Sequence, residues 1–263
     1  MISNTKIIFI IIAIFISFGM PILLGIYFCK KYKATVKSIV VGAVVFLIFQ
    51  IFTRMPLLSY LQNVEWYKSI VNKPMVIALF LGVTAGLFEE IGRFIGFKFF
   101  LKDRLNWKNG VACGVGHGGI EAIVLVGIAN INNLIYSLMI NNGTFDEITG
   151  SKISHVLSMQ IKNQLIYSPN YYFLVGGIER IFAISIHIAL SLIVLYAVKN
   201  RKSIYLFVAI LLHAVLDTPV AYMVMKGISI VFIEAYTLIF AIAALVFIIK
   251  VKQIDNDNRN FNE

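Results

Sequence analysis

Four apolar stretches of the chain contain side chains of the types that transfer protons or bind metal ions. These eight residues are Glu89, Glu90, Arg93, His117, Glu121, His187, His213 and Asp217. An ionisable side chain inside hydrocarbon costs from about 2.5 to more than 10 kcal/mol, so its presence there favours a function over simple packing. The set predicts an active site for general acid–base or metal-assisted chemistry.

Spacing along each stretch places these side chains on shared helix faces. His117 and Glu121 are four residues apart, as are His213 and Asp217, so each pair lies on one face of its helix. We expect the acidic member of each pair to orient the histidine one turn away.

The adjacent glutamates, Glu89 and Glu90, should have different roles. Neighbouring residues point about 100° apart around a helix. Arg93 follows Glu90 by three residues and Glu89 by four, so it can hold one carboxylate ionised. One glutamate is then expected to face the reaction centre as a base, while the other braces a neighbouring helix or a histidine.

Composition predicts the elements that position these residues. The chain has 263 residues, of which 59% are hydrophobic and only 14% charged, against about 45–50% and about 25% in soluble domains. A membrane span needs about 20 mostly apolar residues. We therefore predict an all-α, polytopic transmembrane helix bundle of seven or eight spans, with runs at 7–28, 38–52, 74–101, 111–131, 172–198, 204–225 and 228–249.

Basic residues predict how the bundle is oriented. They cluster at 30–37, 98–108, 199–202 and 250–252, after every second span. Under the positive-inside rule the N-terminus is outside and the C-terminus is cytoplasmic, in a bacterial cytoplasmic membrane. Topology thus accounts for the net charge of +10, and no nucleic-acid partner is expected. Counting about 1.5 Å per residue, the polar side chains lie roughly 12–22 Å from the cytoplasmic edge, so they can meet.

The organisation along the chain is predicted to be simple. Residues 1–252 form a single transmembrane bundle with its catalytic core at 74–225, and 253–263 form a polar cytoplasmic tail. The long segment 132–170 is expected outside the cell. Apolar residues recur at helical spacing over 153–165, which predicts an amphipathic helix on the membrane surface and a candidate lid.

Several chemistries fit the polar set. A buried glutamate can take a proton from water, and a histidine can stabilise the oxyanion or protonate a leaving amine. Neither G-x-S-x-G nor H-E-x-x-H occurs, which argues against serine and zincin-type proteases. A zinc site built from His117, His187 and His213 stays open. A proton-coupled transporter or channel using the same residues as a relay is the alternative function.

The chain also resembles a known family at these residues. The strings GLFEEIGR (86–93), GVGHGGIEA (114–122), the Glu-Arg pair before His187, and LHAVLD (212–217) resemble the YhfC family of bacterial intramembrane peptidases. More distantly they are similar to PrsW-type and CAAX-processing membrane proteases. The resemblance covers roughly 74–225, and its most specific part is Gly-His-Gly-Gly-x-Glu.

The resemblance implies an intramembrane protease that hydrolyses a peptide bond of a membrane-associated protein or peptide in the lipid bilayer. In the wider group the paired glutamates activate water, Arg93 organises them, and His187 and His213 assist. The arginine lies one residue closer than in CAAX proteases, and Asp217 stands where those enzymes often have asparagine. We therefore favour a metal-free glutamic mechanism, in which Glu89 or Glu90 activates water. Members of the YhfC group are also called metalloproteases, so a Zn²⁺-dependent mechanism is the alternative.

Overall fold

The structure, a computed structural model, describes residues 1–150 and 152–260. Over those residues it contains helices and no strand, which confirms the all-α prediction. The α-helices are α1 (Asn4–Tyr32), α2 (Val36–Phe46), α3 (Met55–Leu61), α4 (Glu65–Val71), α5 (Pro74–Ile95), α6 (Trp107–Glu121), α7 (Ile128–Asn141), α8 (Phe145–Thr149), α9 (His155–Tyr167), α10 (Tyr171–Lys199), α11 (Ile204–Met225) and α12 (Ile230–Asn260).

Three π-helical segments extend or join these helices. Leu47–Arg54 connects α2 to α3, Gly96–Phe100 extends α5, and Ala122–Gly127 connects α6 to α7. A short 3₁₀ turn, Lys102–Arg104, precedes α6. Segments of π-helix inside α-helices occur frequently at functional sites. Here one ends at a buried arginine and another begins directly after Glu121.

Seven helical segments of the described chain are long and apolar enough to cross a membrane. They are Asn4–Tyr32, Val36–Leu61, Pro74–Phe100, Trp107–Asn141, Tyr171–Lys199, Ile204–Met225 and Ile230–Ile254. This confirms a polytopic membrane protein, at the lower of the two predicted span numbers. Which end of each span faces the cytoplasm stays a prediction. The predicted tail, 253–263, begins within α12 and extends beyond the described residues.

The chain divides into two compact units, of which the smaller is formed by Met1–Met20 and Ala122–Ile181. Its buried cluster includes Ile10 and Leu165. The Nζ of Lys6 donates to the carbonyl oxygens of Leu165 at 2.6 Å and Ile166 at 3.1 Å, near the C-terminal end of α9. These contacts satisfy carbonyls that the helix itself leaves unpaired.

The predicted outer loop contains more helix than expected. The fourth span continues as α7 to Asn141, past the predicted loop start at 132. Helix α9 covers most of the stretch in which the spacing predicted an amphipathic helix. Its position on a membrane surface and its role as a lid stay predictions.

The larger unit, formed by Pro21–Glu121 and Phe182–Glu263, carries all eight candidate residues. Glycines let its helices approach closely. A Cβ on Gly86 of α5 would lie 2.7 Å from the carbonyl oxygen of Ile210 on α11, and one on Gly114 of α6 would lie 2.5 Å from the Cα of Ile188 on α10. Small residues at helix contacts allow such approaches in membrane proteins. These two glycines bring α5 close to α11 and α6 close to α10.

Candidate metal and catalytic site

Four helices of the larger unit bring the candidate side chains together. Helix α5 carries Glu89, Glu90 and Arg93, α6 carries His117 and Glu121, α10 carries His187, and α11 carries His213 and Asp217. Six of the eight are buried, while Glu121 and Asp217 are half-buried. The depth estimate from sequence expected these residues to meet, and the geometry agrees.

Glu90 is fully buried and lies at the centre of a charge network. It accepts a hydrogen bond from Nη1 of Arg93, and its Oε1 lies 2.6 Å from Nδ1 of His213. The Nε2 of His213 lies 3.4 Å from Oδ2 of Asp217. The Asp217 side chain is 38% exposed, so this end of the network faces out of the helix cluster. One oxygen of Glu90 is therefore contacted both by Arg93 on the same helix and by His213 on α11.

Glu89 has different partners. Its Oε2 lies 3.0 Å from Nε2 of His117, 3.5 Å from Nη2 of Arg93 and 3.9 Å from Nε2 of His213. The two neighbouring glutamates thus face different groups, as their angular separation around the helix predicts. Arg93 contacts both of them, but more closely Glu90.

Glu121 pairs with a different histidine from the one that the spacing suggested. Its Oε2 lies 2.5 Å from Nε2 of His187 on α10, whereas His117, one turn back on its own helix, is bonded by Glu89. The other nitrogen of His187, Nδ1, lies 2.6 Å from Nη2 of Arg93. Because a guanidinium can only donate, this Nδ1 accepts from Arg93, and Nε2 is the ring nitrogen that faces Glu121.

The pairs Glu89–His117 and Glu121–His187 together form a candidate metal site. Each of Glu89, His117, Glu121 and His187 offers a ligand atom, and the four atoms all lie within 4.8 Å of one another. Imidazole nitrogen and carboxylate oxygen are ligands that Zn²⁺ takes in catalytic sites. The residues present therefore fit a divalent ion of this class. The set differs from the three-histidine site that the sequence left open, because it contains Glu89 and Glu121 in place of His213, whose Nδ1 lies against Glu90.

A buried arginine in the second span was not predicted. Arg54 is 7% exposed and donates from Nε to Oγ1 of Thr84 at 3.2 Å, from Nη1 to Oε1 of Gln50 at 3.2 Å and from Nη2 to the Leu81 oxygen at 2.7 Å. The sequence interpretation ended the second apolar run at residue 52, before Arg54. The apolar run that resumes at 55–61 could have indicated that the helix continues.

Comparisons with known proteins identify the family of the chain. The YhfC intramembrane metalloprotease family matches residues 14–238. A relative in Bacillus subtilis (strain 168), described as uncharacterized membrane protein YhfC, is 36% identical over 257 residues, which cover 97% of this chain and 99% of that protein. No solved structure matches the chain. The predicted location in a bacterial cytoplasmic membrane is consistent with both matches. The chain therefore belongs to the YhfC intramembrane metalloprotease family.

Proposed function

We propose that this protein is a metal-dependent peptidase that hydrolyses a peptide bond of a membrane-associated protein or peptide. One observation carries the proposal. Four nitrogen and oxygen ligands lie within 4.8 Å of one another inside helices that can span a membrane. The family description, an intramembrane metalloprotease, favours this mechanism over the metal-free glutamic mechanism of the wider group.

We assign the ion to His117, Glu121 and His187. A catalytic zinc keeps three protein ligands and one open position, so one of the four candidates is left for another role. Glu89 is the candidate that also approaches His213, at 3.9 Å, and it is therefore assigned as the base. When bound, a divalent ion activates water and polarises the carbonyl of the bond to be cleaved.

The remaining residues move protons and hold the geometry. Oε2 of Glu89 accepts a proton as the water oxygen adds to the carbonyl carbon. His213 delivers a proton from Nε2 to the amide nitrogen as the carbon–nitrogen bond breaks, and a carboxylate and an amine result. Glu90 fixes His213 through Nδ1, and Arg93 holds Glu90 in turn. The proton taken by Glu89 then restores His213.

Metal content and hydrolysis, measured on one set of full-length variants, test the proposal. The wild-type protein should carry roughly one divalent ion per chain and cleave a membrane peptide in a chelator-sensitive way. Glu121→Gln should lose both the ion and the activity. Glu89→Gln should keep the ion but lose about 10²–10⁴-fold in rate, the usual contribution of a general base. Glu65→Gln, at an exposed position of α4, is the control.

Two outcomes contradict the proposal. Undiminished cleavage by metal-free protein would leave the glutamic mechanism in its place. Undiminished cleavage by both Glu89→Gln and Glu121→Gln would remove the site altogether.

A further inference from the structure

The guanidinium of Arg54 lacks a carboxylate partner although it is buried. No carboxylate oxygen of the described residues lies within 4.0 Å of the Arg54 guanidinium, the limit for an ion pair. Its three hydrogen bonds go to neutral oxygens. Glu89 and Asp217 act on it electrostatically from beyond that distance. A charged arginine in a span is expensive unless an opposite charge or a polar cavity compensates it. The free protein supplies only part of that compensation.

Two N–H groups of Arg54 remain for a ligand. A guanidinium has five N–H donors, and three are used. Nε and Nη2 bind Oγ1 of Thr84 and the Leu81 oxygen, which are themselves joined by a 3.1 Å hydrogen bond. One further N–H is left on each terminal nitrogen. Guanidinium groups bind carboxylates preferentially through such paired donors.

The position of Arg54 relates it to the reaction centre. Thr84, which binds its Nε, precedes Glu89 by five residues on α5, which is about 7.5 Å along the helix axis. An extended peptide spans about 3.3–3.6 Å per residue. A group held by Arg54 would therefore lie about two residues from a bond cleaved beside Glu89.

From these observations we infer that Arg54 binds a carboxylate of the substrate peptide, about two residues from the cleaved bond. The inference rests on the proposed peptidase function only where it calls the bound peptide a substrate. The carboxylate-binding site itself does not depend on catalysis. The carboxylate is either the peptide's own C-terminus or an acidic side chain. Both sources present the same planar anion to the guanidinium.

Binding of matched peptides to the full-length protein in phosphatidylcholine nanodiscs tests the inference. The probes are one leucine-rich transmembrane peptide of about 22 residues, made with a free C-terminal carboxylate, with a C-terminal amide, and with the amide plus one internal glutamate. Fluorescence anisotropy measures the affinity of each. Mass spectrometry of the same samples locates any cleaved bond.

A carboxylate-bearing peptide should bind the wild-type protein at least about tenfold more tightly than the plain amide, which corresponds to about 1.4 kcal/mol. Preference for the free C-terminus or for the internal glutamate identifies the source. Arg54→Gln should abolish the difference, and Arg54→Lys should reduce it, because an ammonium lacks the paired donors. Arg104→Gln, at a half-buried arginine of the 3₁₀ turn, should leave it unchanged.

Equal affinity of all three peptides for the wild-type protein would overturn the inference, as would a preference that survives Arg54→Gln. If Arg54→Gln does not fold, the Arg54→Lys protein decides by the same comparison. Binding preference without hydrolysis would refute the proposed function and leave the carboxylate site standing. Hydrolysis without a binding preference would support the proposed function and overturn the carboxylate site.

Discussion

Substitution of Gly114 by alanine tests whether the site depends on the close approach of α6 to α10. The added Cβ would lie 2.5 Å from the Cα of Ile188, while real Cβ atoms essentially never come closer than 3.0 Å and ordinary contacts begin at 3.4 Å. The neighbour is backbone, so it cannot rotate away. The two helices must therefore separate by the difference, 3.4 − 2.5 = 0.9 Å, or by 3.0 − 2.5 = 0.5 Å at the least.

That displacement acts directly on the candidate metal site. His187 is the residue before Ile188, and its Nε2 lies 2.5 Å from Oε2 of Glu121 on α6. Metal–ligand distances are held within about 0.2 Å, and a misplacement of about 1 Å can reduce the rate about 10²-fold. We expect Gly114→Ala to lose most of its bound metal and about 10²-fold in peptide hydrolysis.

Stability should change in the same direction. Overpacking costs about 1–3 kcal/mol, and the better helix propensity of alanine returns up to about 1 kcal/mol. With about 1 kcal/mol returned, the net loss is about 0–2 kcal/mol, which lowers the unfolding temperature by up to about 8 °C. Gly176→Ala is the matched control, because a Cβ on this glycine of α10 meets no atom within 4 Å. It should be neutral or stabilising.

Metal content by elemental analysis and thermal unfolding in detergent measure both effects. A Gly114→Ala protein with wild-type metal content and unfolding temperature would refute the packing of α6 against α10. Equal losses of metal and of unfolding temperature in Gly114→Ala and Gly176→Ala would show that an added methyl group harms the protein at either position. The effect would then not depend on the contact between α6 and α10.

Two further predictions concern buried charges. Arg93→Met should lower the free energy of unfolding by about 3–5 kcal/mol, because it leaves Glu90 buried without its guanidinium. Adding Glu90→Gln should recover part of that loss in a denaturant titration, and a purely additive double variant would contradict the pairing. Lys6→Met should leave two carbonyls at the end of α9 without their donor, at about 1–3 kcal/mol. Hydrogen exchange should then rise over 155–167, and unchanged protection there would contradict the contact.

The type of protein and the location of the site along the chain were predictable from local properties. Span length and apolar content depend only on neighbouring residues, so seven spans could be counted from hydropathy alone, and seven helices of the described chain are suited to cross a membrane. Charged and imidazole groups inside those spans marked the candidate residues, because such groups are costly and rare in hydrocarbon unless they have a function. The i,i+4 relation of His213 to Asp217 was also local, and the two side chains lie 3.4 Å apart.

The division of labour between the two glutamates could not be assigned from their sequence. Their separation around α5 showed only that they differ. Contact of Glu89 with His117 and of Glu90 with His213 depends on how α6 and α11 are rotated about their own axes. That rotation depends on contacts between helices far apart in sequence, which no local pattern records.

By itself the sequence determined a helical membrane protein of seven or eight spans with ionisable residues inside them, because hydropathy and helical spacing are properties of short segments. Only the tertiary structure decided that Glu121 joins His187 rather than His117, and that Arg54 lies buried within a span. Each of these depends on side chains that reach across to another helix. The geometry of helix packing, rather than the spacing along one helix, therefore selects the candidate metal-binding set.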